Sequence, residues 1–125
     1  MNLAELEENV GKALVAHSQW KIRLRHAVSV DKLPKPARDI ACDNQCGLGL
    51  WLQELTKDPV AAQDHHIQDV VTAHTKFHKE AGRIALLVEQ GNGAKAETEL
   101  DGPSYAEATK TLEHALIELR RKARG

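Results

Sequence analysis

The chain reads as an all-α protein, an antiparallel four-helix bundle with a short second helix and a last helix broken near Gly102. Three observations carry that reading. Apolar residues return at alternating steps of three and four in three separate stretches, the spacing of an inward helix seam. No stretch alternates apolar and polar residues as a half-buried strand would. The 125 residues include only four aromatics, so the core must be filled by Leu, Ile, Val and Ala, which suits helices.

The first seam is Leu3, Leu6, Val10, Ala13, His17, Trp20, Leu24 and Ala27. It predicts one long helix, stopping near Asp31 because Pro34 and Pro36 push the residues before them out of helical conformation. From there to about Asn44 the chain reads as a connector. Cys46 to Leu55 follows as a short apolar helix of about three turns, with Asp43 or Asn44 as its expected N-cap and Lys57-Asp58-Pro59 closing it. Asp58-Pro59 is the expected start of the third helix, whose seam is Ile67, Val70, His74, Phe77, Ala81, Ile84 and Val88 and which ends at Gly91-Asn92-Gly93. The last helix runs from Ala94, is interrupted at Asp101-Gly102-Pro103, and restarts at a capping box of Ser104 and Glu107, with Tyr105, Ala108, Leu112, Ala115 and Leu119 facing inward.

Residues 1–125 read as a single domain, since that length buries one core but not two. Seventeen basic residues against eighteen acidic ones lack the footprint of a nucleic-acid binder. The longest apolar run, Ile84 to Val88, is far short of a membrane span, and the acidic start Met1-Asn2-Leu3-Ala4-Glu5 is not a signal peptide, so a cytoplasmic location is expected. In a reducing compartment, Cys42 and Cys46 are then ligands, redox centres or core residues sooner than a disulfide.

The seven histidines are the anomaly. His74 and His78 stand one turn apart, where two rings can converge on one ion. That spacing alone is weak, because a chain this rich in His yields it often by chance. His17 on another seam strengthens it, since three imidazoles in an apolar interior are costly unless something satisfies them. Helix rise tests whether they meet: His17 and His74 each lie roughly 21 Å from the expected starts of their helices, and the short second helix descends roughly 15 Å from Cys46. One thiolate and three imidazoles thus fall at one depth. That donor set suits tetrahedral Zn²⁺ held by His17, Cys46, His74 and His78. Four protein ligands leave no position for a reacting water, which argues against hydrolytic zinc chemistry and against an enzyme. The helix start adds thiolate character to Cys46. His26, His65, His66 and His114 lie off the seams or away from this layer and read as surface residues, and Cys42 reads as a connector thiol or a resolving partner for an oxidised Cys46.

In this order the residues resemble the bacterial chemoreceptor zinc-binding domain. The matching segments are His17-Ser18-Gln19-Trp20, Cys46-Gly47-Leu48-Gly49-Leu50-Trp51 and His74-Thr75-Lys76-Phe77-His78, separated by 25 and 22 residues. The resemblance implies a cytoplasmic regulatory domain that binds zinc through three His and one Cys, commonly as a homodimer. It implies attachment to chemoreceptors or diguanylate cyclases, and sensing of zinc or hypochlorous acid in chemotaxis or cyclic-di-GMP control. No coiled-coil signalling module or cyclase accompanies these residues, so the expectation is a stand-alone member acting through a signalling partner, or a domain cut from its output.

Two other classes compete with a sensor. A purely structural zinc could hold together a small interaction bundle. A di-iron bundle would need Glu-x-x-His pairs, which are absent, and the His114 to Glu118 spacing is isolated. A c-type haem would need Cys-x-x-Cys-His, also absent.

Overall fold

The computed structural model describes residues 2–125, and all their regular structure is helical: α1 (Leu3–Val30), α2 (Ala37–Ile40), α3 (Gly47–Leu55), α4 (Pro59–Gln63), α5 (His65–Glu89), α6 (Gly93–Leu100) and α7 (Pro103–Arg124). The predicted bundle is present, with α1, α3, α5 and the α6/α7 pair as its four arms. α1 and α5 run the same way, because His17 meets His74 and His78 at one level while Asp31 and Glu89 share a cleft at the far end. α7 runs back, pairing Arg124 with Glu7, and Arg25 of α1 meets Asp101 just before it at 2.6 Å. The α5–α7 pair forms the most extensive helix contact.

All the seam positions of α1 except Leu3 are buried, and those of α5 are buried throughout. In α7 the core takes Leu116, with Ala115 only half-buried. Helix α1 stops at Asp31, which turns left-handed (φ 54°). Helix α5 stops at Gly91, where a positive φ of 77° lets the Gly91 and Asn92 N–H groups return to the Val88 and Leu87 carbonyls.

Four local expectations are corrected. The connector is not wholly irregular, since Ala37–Ile40 form a helical turn fixed by the Ala37 N–H donating to the Glu89 carboxylate at 2.7 Å. The third helix does not run unbroken from Pro59. Asp64 adopts extended backbone and its carboxylate accepts from the His66 and Ile67 N–H groups, so the long helix begins at His65 and Pro59–Gln63 is a separate short one. The cap of α3 is Cys46 itself, neither Asp43 nor Asn44. The Ser104–Glu107 capping box does not form: Gly102 is the extended cap residue and Pro103 opens α7, which needs no donor at its first position.

Candidate metal centre

His17, Cys46, His74 and His78 come together with one ligand atom from each within 4.8 Å of the others. α1 supplies His17, α5 supplies His74 and His78 one turn apart, and the N-cap of α3 supplies Cys46. All three imidazoles are buried and Cys46 is half-buried. The sulfur lies 3.2 Å from His74 Nε2 and 3.7 Å from His78 Nε2. Bonds of about 2.0–2.3 Å in a tetrahedron put neighbouring ligand atoms about 3.3–3.8 Å apart, so these separations fit a zinc ion.

Two of the three imidazoles are held in the tautomer a metal needs. His17 Nδ1 donates to the Ala13 carbonyl at 2.7 Å and His78 Nδ1 donates to the Ile40 carbonyl at 2.8 Å, which leaves each Nε2 with its lone pair facing inward. His17 Nε2 is fully buried and has no hydrogen-bond partner, an expensive state for a ring nitrogen unless a cation takes the lone pair. Burial lowers His17 to about 4 and His74 to about 3, and also lowers His78, so all three are neutral donors near pH 7. Burial pushes the Cys46 thiol up, against the Gly49 and Leu48 N–H groups that favour its anion. The helix start adds thiolate character through those N–H groups but does not by itself hold a thiolate, and a cation's charge must supply the rest.

Two glycines let the surrounding backbone close in. A Cβ on Gly49 would stand 1.9 Å from the Asp43 carbonyl oxygen, so only glycine allows the turn before α3 to lie against that helix and aim Cys46 inward. A Cβ on Gly82 would stand 2.4 Å from Ala41 Cβ, so Gly82 seats the end of α2 on α5, where the Ile40 carbonyl reaches His78. The Asp43 carboxylate also accepts from Thr75 Oγ1, tying the same turn to the residue after His74. These supporting groups were not read from the sequence, although isolated glycines inside helical patterns are a signal of close packing.

The remaining predicted residues fall outside the centre. Cys42 Sγ donates to Asn44 Oδ1 at 2.9 Å. His26, His65 and His114 are exposed and His66 is half-buried. Trp20 is buried beneath the Arg23 guanidinium, 4.0 Å from its ring, and Trp51 packs half-buried on the core.

The fold and the site together define a helical-bundle domain built around a three-histidine, one-cysteine centre fit for zinc. Its four donors sit on three different helices, so the centre is also a tertiary link. The sequence pattern of the chemoreceptor zinc-binding domain matches residues 17–85, more than half of the chain and all four donors, and the chain belongs to that family. No curated protein and no solved structure matches it.

Proposed function

We propose that the chain is a non-catalytic, cytoplasmic regulatory domain whose zinc centre responds to an oxidant or to zinc supply and signals to a partner in bacterial chemotaxis or cyclic-di-GMP control. The reading rests on one observation: the sole sulfur donor caps the nine-residue α3, while the three nitrogen donors belong to the long helices α1 and α5. The weakest-held arm of the bundle carries the most oxidisable ligand.

Bound zinc supplies a fixed positive charge that favours the Cys46 thiolate and joins α1, α3 and α5. The thiolate gives an electron pair to the chlorine of hypochlorous acid with loss of hydroxide. Water then replaces chloride at sulfur, releasing a proton and leaving a sulfenic acid. That sulfur is a poorer donor, so the start of α3 loses its anchor on His74 and His78, and a two-state packing or a dimer interface reads the change.

The purified chain is expected to carry one zinc, released by hypochlorous acid in step with Cys46 oxidation, with both properties impaired in Cys46→Ala. Unchanged zinc content and oxidant response in that variant would refute the switch.

A further inference from the structure

The last turns of α1 leave an apolar edge open. Ile22, His26 and Val30 follow one another at steps of four, which puts them on one side of the helix, and Ile22 and Val30 are 71% and 51% exposed. After the left-handed turn at Asp31 the chain passes beside this edge, so that Lys32, Leu33 and Pro34 form the opposite wall of a groove of about 630 Å³. From Ile22 to Val30 the groove runs roughly 12 Å, the rise of about two helical turns. Its charge has one sign. Arg23, His26 and Lys32 line it, and no carboxylate does. Arg23 is held over the Trp20 ring at 4.0 Å and Lys35 stands 5.7 Å from the same ring, which fixes the basic rim in place. Among the described residues Arg23, Lys32 and Lys35 make no ion pair, whereas Lys21 and Arg25 elsewhere on α1 share Asp101. Asp31 and Glu89 line the neighbouring cleft instead, where Glu89 already accepts from the Ala37 N–H.

We propose that this groove docks an acidic amphipathic helix of a partner protein, with the partner's apolar side chains on Ile22, Val30 and Leu33 and its carboxylates on Arg23, Lys32 and Lys35. Unpaired cations around an apolar floor select a segment that is apolar along one stripe and acidic beside it. The described residues include no strand, so there is no sheet edge for an extended peptide to join, and a helix laid in a groove is the mode this fold offers. The concave floor favours a protein segment over a lipid surface, which takes up the protruding apolar face of a helix. None of the four zinc donors lines the groove, so docking is tested apart from any response of the metal centre.

The test titrates the zinc-loaded chain into a short fluorescent peptide with Leu at steps of three and four and Glu on both flanks, read by anisotropy, beside the same peptide with Lys for Glu. The Glu peptide should bind and the Lys peptide should not, and added salt should weaken the complex. Ile22→Glu should weaken it about tenfold or more. Lys32→Glu should weaken the Glu peptide and strengthen the Lys peptide, a reversal that loss of fold cannot produce. Ile22 and Lys32 are exposed, so both variants should keep the helical circular dichroism and the zinc of the parent chain. Equal affinity for the two peptides, binding of neither, or no effect of Ile22→Glu overturns the proposal. So does adhesion to phosphatidylserine vesicles that Ile22→Glu abolishes while no peptide binds, which would give the groove to a lipid surface. A dimer of the chain that Ile22→Glu dissociates, with no peptide bound, would give it to a second copy and overturn the proposal as well.

Discussion

His17 and His78 each commit one ring nitrogen to a main-chain carbonyl, so the proton inventory of the centre is settled before a metal arrives. An ordinary imidazole is about three-quarters protonated at pH 6, and three of them with one thiol would release about three protons to a zinc ion. Because burial holds His17 near 4 and His74 near 3 and also lowers His78, fewer than two protons should be released at pH 6, one of them from Cys46. Calorimetry in buffers of different ionisation enthalpy counts it, and release of about three would show that the imidazoles titrate normally. The sign of the stability effect follows in the chain without metal. Unfolded imidazoles take up protons from about pH 6.5 downward, whereas folded His17 and His74 do so only near 4 and 3, so stability falls as pH drops through that window. Denaturant midpoints at pH 7 and 5 check this.

Helices α2 and α3 owe their seats to single glycines. Gly49→Ala and Gly82→Ala should each cost about 1–3 kcal/mol, because backbone or a neighbouring Cβ already fills the space. Both should also weaken zinc binding, the first through Cys46 and the second through the Ile40 carbonyl. Gly11→Ala in α1 is the control: nothing lies within 4 Å of its Cβ position, and helix propensity alone should stabilise by about 0.5–1 kcal/mol. Urea unfolding of the zinc-loaded variants ranks the three, and equal costs would contradict these contacts. Seam periodicity made α1, α5 and α7 legible in the sequence, and the four donors with them, because each donor sits on a periodic face or beside a helix start. The small helices were not legible. Ala37–Ile40 exists through the reach of Glu89, 52 positions along the chain, and the break at Asp64 turns on one carboxylate choosing the backbone N–H groups of His66 and Ile67. Ser104 offered a plausible cap that Gly102 and Pro103 made unnecessary.

The bundle as assembled has two kinds of cohesion. α1, α5 and α7 share an apolar core in which Val10, Leu24, Val70, Phe77, Ile84 and Leu116 are fully buried. α3 adds Leu48 and Leu52, lays Trp51 and Leu55 half-buried against the core, and is tied also through Cys46. Removing zinc with a chelator should therefore lower the melting temperature and reduce helical circular dichroism by only the nine residues of α3. Complete loss of helix would mean that the metal is structural and would sink the sensor reading.

The Ile40 carbonyl carries a wider consequence. It ends a helical turn whose first N–H is held by Glu89, so the order of the 31–41 connector and the orientation of His78 belong to one equilibrium. Linkage is reciprocal: if zinc tightens the hold of that connector by some factor, any molecule that grips the connector must tighten zinc by the same factor. The cleft between Asp31 and Glu89 is therefore a place from which a neighbour could tune the concentration of metal at which the domain responds, without touching a single ligand.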